Sequence, residues 1–298
     1  MKKENSMTDN IGLVGIGLVG TAIAERLLAG RFDVVGFDID SGKGLHLEEL
    51  GGKAVSSPAE VAEQISRVVL SLPDTDIVRK VVEGHAGILQ AKTPPKYIID
   101  TTTGDPDETV ALAQRLAERQ IHFLDATISG SSRQVRDKEA VFMVGGDKTA
   151  FETCRDIFQT LSEKVFYLGP SGNGSKAKLA SNLILGLNRL ALAEGLVFAG
   201  KLGLEPDTFL EMLKVTPAYS AVMDTKGKKM LTDDFTAESR IRQHYKDVSL
   251  ILKYAEIAGQ ELPLSRVHFD ALEKAIEAGD GDLDNAAIIR EIKRRKRN

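Results

Sequence analysis

Cysteine is almost absent from the 298-residue chain: Cys154 stands alone, so no disulfide can form within it. We interpret Cys154 as a packing residue and expect a reducing, cytoplasmic location.

No segment offers the uninterrupted apolar stretch of about 18 residues that a membrane helix needs. The polar residues 1–9 lack a signal-peptide core and are expected to form a loose tail. The net charge of −4 disfavours bulk nucleic-acid binding. The basic run 293–297 is interpreted as a solvated helix end, and the alternative is a contact with a nucleic acid or an anionic surface.

Short strand-like segments alternate with helical patterns in the first half of the chain. Strands are predicted at 11–15, 33–38, 67–72, 97–101, 122–126, 140–145 and 164–168. Helices are predicted between them at 19–29, 58–65, 75–83 and 106–119. This alternation predicts parallel βαβ units, and therefore an α/β Rossmann domain with a doubly wound, mostly parallel sheet.

Only helical patterns occur beyond about residue 170. They are predicted at 175–201, 205–214, 217–230, 239–258, 263–278 and 284–295. Glycines in the segment 169–174 mark a loop before the first of these helices. We therefore predict a dinucleotide-binding domain over residues 1–169, followed by an all-helical substrate and oligomerisation domain over residues 170–298 that a long helix joins to it.

A glycine-rich turn near the start is the clearest motif. An apolar run leads into Gly15-Ile16-Gly17-Leu18-Val19-Gly20 and then into a helical pattern. This order suits a dinucleotide pyrophosphate. Gly15 can form the tight turn that ends the strand, and Gly17 has no side chain, so the backbone can approach the phosphates. Gly20 lets the helix pack close to the strand. Asp38 ends the next strand, where a carboxylate binds ribose hydroxyls and repels a 2′-phosphate. NAD is therefore predicted rather than NADP; the alternative is a structural turn with Asp38 as a helix cap.

Small and polar residues follow three later strands, at the edge where open parallel sheets bind ligands. A rigid turn and small hydroxyl side chains suit the binding of a nicotinamide riboside, and they are present in Leu72-Pro73 and Thr101-Thr102-Thr103. The alternative is that these residues only form turns. The segment from Asp125 to Ser132 is predicted to lie after a strand. In it, Ser129 and Gly130 could offer a hydroxyl and backbone N–H groups to a carboxylate.

Lys178 and Asn182 form the sharpest candidate pair. They are four residues apart and so share one face of the long predicted helix. An ammonium there could donate a proton to a carbonyl, and an amide one turn on could orient the same oxygen. Lys176 lies close by, and spacing alone does not choose between the two lysines. The alternative is that Lys178 is an ordinary surface lysine.

Six motifs in this order resemble the β-hydroxyacid dehydrogenase family, which includes 3-hydroxyisobutyrate dehydrogenase and tartronate semialdehyde reductase. The matches run nearly end to end. They are the turn at 15–20, Leu72-Pro73, Asp100-Thr101-Thr102-Thr103, the loop 125–131, Gly172-Asn173-Gly174-Ser175-Lys176-Ala177-Lys178 with Asn182, and Lys246-Asp247. The resemblance implies an NAD-dependent oxidoreductase that interconverts a small β-hydroxy acid and its semialdehyde. A non-catalytic NAD(P)-binding sensor and an imine reductase-like enzyme are the alternatives, and Lys178 disfavours both.

The resemblance also implies roles for individual residues. Lys178 would be the general acid/base and Lys176 a spectator, Asn182 would hold the substrate, and Lys246 would close over cofactor and substrate. Homodimers or homotetramers would form through the helical part. The candidate substrate ligands are Ser129, Gly130, Ser131, Asn182 and Arg242. The candidate cofactor ligands are Gly15, Gly17, Leu18, Val19, Gly20, Asp38, Leu72, Pro73, Ile77, Thr103 and Lys246.

The chain departs from the family pattern at two places. In the substrate loop, Thr127 replaces the usual proline and Ser131 the second glycine, so Ser131 is expected to restrict the turn. The stretch 239–245 is polar where the family has Phe and Leu. Arg242 on the Lys246 face therefore predicts a substrate that is more polar or more anionic than 3-hydroxyisobutyrate. The alternative is that Arg240, Arg242 and His244 are solvated or make salt bridges between subunits. His244 has no partner at metal-ligand spacing, so no metal is predicted.

Overall fold

The computed structural model describes residues 10–63 and 65–295 of the chain. It divides into two compact units, of which the first ends at Lys178 and the second begins at Leu179. The division between the two units lies within a helix, after Lys178. The domain boundary predicted at residue 169 stays a prediction. The predicted tail 1–9 lies outside the described residues.

Eight strands form one sheet in the first unit. In chain order they are β1 (Asn10–Val14), β2 (Asp33–Phe37), β3 (Lys53–Ala54), β4 (Arg67–Leu70), β5 (Tyr97–Asp100), β6 (His122–Ser129), β7 (Val141–Gly145) and β8 (Lys164–Tyr167). They lie side by side in the order β3-β2-β1-β4-β5-β6-β7-β8. The first six follow the strand order of dinucleotide-binding sheets, and the predicted fold class is confirmed.

One pair of neighbouring strands, β6 and β7, is antiparallel, whereas the other pairs are parallel. A parallel crossover needs a dozen residues or more, and the connection over 130–140 is shorter than that. The chain therefore turns back on itself here. The antiparallel pairing with β7 extends β6 to Ser129.

Helices cover both faces of the sheet. They are α1 (Leu18–Ala29), α2 (Ser41–Glu49), α3 (Pro58–Ala62), α4 (Thr75–Glu83), α5 (Pro106–Ala117), α6 (Ser132–Arg136), α7 (Lys148–Thr153) and α8 (Arg155–Leu161). Val69 and Ile99 pack in one apolar cluster, while Val68 and Ile98 beside them pack in the other. Strands buried on both faces explain the nearly continuous apolar runs. Cys154 is fully buried between α7 and α8, and burial raises the pKa of its thiol to about 12, as suits a packing residue.

The second unit is built from helices. They are the long α9 (Asn173–Lys201), which begins in the first unit, α10 (Pro206–Lys214), a π-helical segment (Met223–Gly227), α11 (Lys228–Thr232), α12 (Ile241–Ile257), α13 (Pro263–Glu277) and α14 (Ile288–Arg294). By length and composition alone α9 could cross a membrane, with a mean hydropathy of 1.5 in its most apolar window. A core helix passes the same test, and Leu192, Ala193 and Leu196 of α9 pack in the core of this unit.

Candidate active site

The three glycines of the turn after β1 have three different environments. Gly15 has a φ of +93°, and a Cβ there would overlap the carbonyl oxygen of Ser71. A Cβ on Gly20 would overlap the carbonyl oxygen of Gly15, so α1 lies directly against the turn. Gly17 faces open space, with nothing within 4 Å of an added Cβ. Gly17 is also the N-cap of α1 and provides no side-chain cap, so the start of the helix is open to an anion such as a pyrophosphate.

Asp38, at the end of β2, is tied to this turn. Its Oδ2 accepts a hydrogen bond from the backbone N–H of Ile16 at 2.6 Å, and its Oδ1 accepts one from Asp40 at 2.9 Å. Asp40 in turn caps α2 by accepting from the N–H of Gly42. The Asp38 carboxylate is thus held in place by backbone donors. A carboxylate oxygen has two lone pairs, so hydroxyl groups of a ligand can bind it as well.

The turns after β4 and β5 are joined by hydroxyl groups. The N–H of Leu72 donates to Oγ1 of Thr102 at 3.2 Å, and the hydroxyl of Thr101 donates to the carbonyl of Leu70 at 2.8 Å. Pro73 is exposed next to them, and Thr103 is half-buried. Ile77 lies in the first turn of α4, where its N–H donates to the capping carboxylate of Asp74. The predicted nicotinamide-side residues therefore lie on neighbouring loops of one sheet edge.

The predicted position of the substrate loop is partly wrong. The expected strand 122–126 continues to Ser129, because pairing with β7 runs from Asp125 opposite Gly145 to Ser129 opposite Val141. Most of the motif is therefore strand, and the loop starts only at Gly130, which has a φ of +151°. Ser131 caps α6 with an ordinary φ of −81°. The restriction expected from its Cβ does not arise.

Asp125, the first residue of the substrate-loop motif, holds the start of α9. It is buried, and its two carboxylate oxygens accept hydrogen bonds from the N–H groups of Gly172 at 3.0 Å and Ser175 at 2.9 Å. Burial raises the pKa of this carboxyl, and the two N–H groups oppose that rise. Three residues after Ser175 comes Lys178.

The two candidate lysines differ in exposure. Lys178 is 8% exposed, whereas Lys176 is an exposed residue. A buried ammonium is rare unless it is paired or functional, while an exposed one is ordinary. The structure thus separates two residues that the spacing left equivalent.

In the second unit, Asp247 lies between Asn182 and Lys246. The Nδ2 of Asn182 donates to Oδ2 of Asp247 at 3.0 Å, and Nζ of Lys246 lies 3.3 Å from Oδ1 of the same carboxylate. Because the nitrogen end of the Asn182 amide faces Asp247, its oxygen end is the one presented to other groups. The Lys246-Asp247 pair in the sequence was a signal for Asp247, but it offered no reason to assign Asp247 this role.

The polar stretch before Lys246 has two different environments. Arg242 is exposed, and its Nε lies 3.8 Å from the Asp282 carboxylate. His244 is buried, with its ring 5.1 Å from that of His268, so the expectation that it is solvated or bridges subunits is wrong. Among residues 10–63 and 65–295, no group of three or more His, Cys, Asp or Glu side chains is placed to hold a metal ion.

Comparisons with known proteins agree with this architecture. Residues 10–169 match the family described as the NAD binding domain of 6-phosphogluconate dehydrogenase. Residues 172–292 match the family described as NAD-binding of NADP-dependent 3-hydroxyisobutyrate dehydrogenase. Both matches describe domains that bind a pyridine nucleotide.

Relatives cover nearly the whole chain. Glyoxylate/succinic semialdehyde reductase 1 of Arabidopsis thaliana is 30% identical, covering 95% of this chain and 98% of its own. L-threonate dehydrogenase of Cupriavidus necator is 29% identical, with coverages of 95% and 96%. The crystal structure of 3-hydroxyisobutyrate dehydrogenase from Salmonella typhimurium has the same fold, with a TM-score of 0.87 at 23% identity and coverages of 94% and 99%.

The fold, the glycine turn and the matched domains define a pyridine-nucleotide-dependent oxidoreductase of the hydroxy-acid class. The prediction of an enzyme, rather than a non-catalytic sensor, is confirmed by relatives named as dehydrogenases and reductases. The chain belongs to the 3-hydroxyisobutyrate dehydrogenase family, as its six motifs predicted.

Proposed function

We propose that this protein reversibly oxidises a small β-hydroxy acid to its semialdehyde, with NAD as the cofactor and Lys178 as the general acid/base. The observation that carries the proposal is the burial of Lys178 in α9, next to a helix start that Asp125 holds in place. NAD, when bound, accepts or supplies the hydride. The relatives named above as acting on glyoxylate, succinic semialdehyde and L-threonate support a small hydroxy acid, or the matching oxo acid, as the substrate.

Side chains of the protein would transfer the proton and bind the substrate. The amine of Lys178 would take the hydroxyl proton during oxidation and return it during reduction. The amide oxygen of Asn182, oriented by Asp247, would accept a hydrogen bond from the substrate. Ser129, Gly130 and Ser131 would provide hydroxyl and N–H donors for a carboxylate.

Cofactor binding is assigned to the sheet edge of the first unit and to Lys246. The open N-terminus of α1, with Gly17, Leu18 and Val19, would receive the pyrophosphate. Asp38 would accept the ribose hydroxyls. NAD is favoured over NADP because a 2′-phosphate would be repelled by Asp38 and by the neighbouring Asp40.

Arg242 is proposed to bind a second anionic group of the substrate, in keeping with its charge and its place one turn before Lys246. Replacing Arg242 by Leu should raise KM for an anionic substrate at least about fivefold. Unchanged kinetics on the best substrate would assign Arg242 to its ion pair with Asp282 alone.

We further propose a homodimer or homotetramer built through the helical unit, and a cytoplasmic location. Most of the exposed large apolar side chains of the described residues lie in that unit, among them Ile184, Phe198 and Leu202 of α9. Apolar surface of this extent is typical of an interface. The location follows from the single cysteine, and cell fractionation tests it.

The function itself is tested by NAD(H)-linked turnover on a panel of hydroxy acids and semialdehydes. With the best substrate, Lys178→Ala should lower kcat by about 100-fold or more while NAD binding measured by calorimetry stays unchanged. Lys176→Ala is the matched control and should keep full activity, since Lys176 is exposed two residues away. Substantial turnover by Lys178→Ala would refute the assigned role.

A further inference from the structure

Thr127 lies in the middle of β6, at the position where the family's substrate loop has proline. It is fully buried, with an exposed fraction of 0%. Its hydroxyl lies 2.9 Å from the carbonyl oxygen of Gly174 and 3.5 Å from that of Met143, so the shorter contact is the hydrogen bond. A proline at this position would have no hydroxyl to donate.

The acceptor of this bond belongs to the first turn of α9. In an α-helix the carbonyl of Gly174 is the acceptor for the N–H four residues later, which is the N–H of Lys178. The Thr127 hydroxyl therefore binds the same oxygen that fixes the backbone of Lys178. This links a buried strand to the helical turn that carries the lysine.

Asp125 acts on the same turn from the same face of the strand, since side chains two residues apart in a strand point the same way. It accepts from the N–H groups of Gly172 and Ser175, while Thr127 donates to the carbonyl of Gly174. Gly174 permits the close approach, because a Cβ there would overlap the carbonyl oxygen of Asp125 on β6. Both kinds of backbone group at the helix start are thus held by β6.

We propose that Thr127 is a positioning residue for Lys178: its hydroxyl fixes the first turn of α9 and thereby the placement of the amine that transfers the proton. This inference rests on the proposed function. A displacement of about 1 Å in a reacting group can lower a rate about 100-fold. Loss of a single buried hydrogen bond at this turn can therefore lower the rate of proton transfer. Cofactor binding does not depend on it, because the glycine turn and Asp38 lie on other strands.

The test compares Thr127→Val, which keeps the shape and removes the hydroxyl, with Thr127→Ser, which keeps the hydroxyl. We expect Thr127→Val to lower kcat about 10- to 100-fold, with KM within about threefold of the parent and unchanged NAD affinity. Thr127→Ser should retain kcat within about threefold. Thr153→Val is the matched control, because it removes a hydroxyl bond to a helix carbonyl, that of Thr149, at a solvent-exposed position of α7.

Two outcomes overturn the inference: a kcat for Thr127→Val within twofold of the parent, or an equal loss in Thr127→Ser, which would assign the effect to packing. If Thr127→Val does not fold, Thr127→Ala removes the same hydroxyl without adding atoms and is judged by the same values. Lys178→Ala separates this inference from the proposed function. Loss of turnover in Lys178→Ala with full activity in Thr127→Val would reject the positioning role alone.

Discussion

Gly17 and Gly20 lie three residues apart, and their surroundings assign them opposite tasks. Gly20 is packed against the Gly15 carbonyl, whereas Gly17 borders open space. One glycine therefore serves the fold and the other serves the ligand. Asp125 and Lys178 are divided in a comparable way, since Asp125 holds the start of α9 and Lys178 is proposed to transfer the proton.

Substitution of each glycine by alanine should separate these tasks. Gly20→Ala should lower the free energy of unfolding by about 3 kcal/mol, because a Cβ would overlap a backbone oxygen that cannot move aside. Gly17→Ala should change stability by about 1 kcal/mol or less and raise the Kd for NAD about tenfold. Chemical denaturation and calorimetry measure the two effects. Equal loss of stability in both variants would contradict the assignment.

Asp38 is proposed to determine the preference for NAD over NADP. Asp38→Ala should reduce the preference for NAD over NADP at least about tenfold, because the variant loses the ribose acceptor and the repulsion of the 2′-phosphate. Asp33→Ala, an exposed carboxylate at the other end of β2, should leave the ratio unchanged. The ratio of kcat/KM for the two cofactors gives the answer, and a strong remaining preference would remove Asp38 from the cofactor site.

At the scale of elements, α9, α12 and α13 enclose a group of buried polar side chains. The His244 and His268 rings lie where a Cβ of Gly186 would be, each with an atom 2.5 Å from that position. Arg189 is buried in the same unit, and its Nε and one terminal nitrogen have no hydrogen-bond partner among the described residues. Burial lowers the pKa of this guanidinium to about 10. Such groups reduce stability unless the fold or a ligand compensates them.

His268 makes the stability of this unit pH-dependent. Burial, assisted by the positive charge of Arg189, lowers the pKa of His268 from 6.5 to about 4. The unfolded chain therefore binds a proton first as the pH falls. Stability should be full above pH 6.5 and decrease by roughly 3 kcal/mol down to about pH 4.

Urea denaturation between pH 4 and pH 7 measures this dependence. His268→Leu should flatten the curve in that interval. His46→Gln is the matched control, because it removes a histidine whose side chain is 45% exposed. An unchanged slope in His268→Leu would show that other groups are responsible.

For the whole molecule, the exposed apolar surface is concentrated in the helical unit. A groove of about 980 Å³ there is lined by Val197, Phe198 and Lys201 of α9 and by Ile292 of α14. Phe198 is 65% exposed, a large area to leave in water. The proposed assembly of identical subunits would cover it.

Phe198→Asp should therefore dissociate the assembly. Light scattering after size-exclusion chromatography should give the mass of an oligomer for the parent chain and a smaller mass for the variant, because an unpaired charge in an apolar interface costs several kcal/mol. Phe166→Asp, at an exposed phenylalanine of the first unit, is the matched control. A parent chain that is monomeric would refute the assembly.

The sequence by itself determined the Rossmann sheet, the helical second half, the glycine turn and the family, because these are encoded in local periodicity and in short motifs. It missed β3 and α2, since two residues are too short for a pattern and two glycines weaken the helical signal in α2. The length of β6 was also missed, because pairing with β7 sets it. Only the tertiary structure decided which lysine is buried, that Thr127 binds the first turn of α9, and that His244 lies against His268. Each of these depends on residues far apart in the chain, whose contacts no local pattern records.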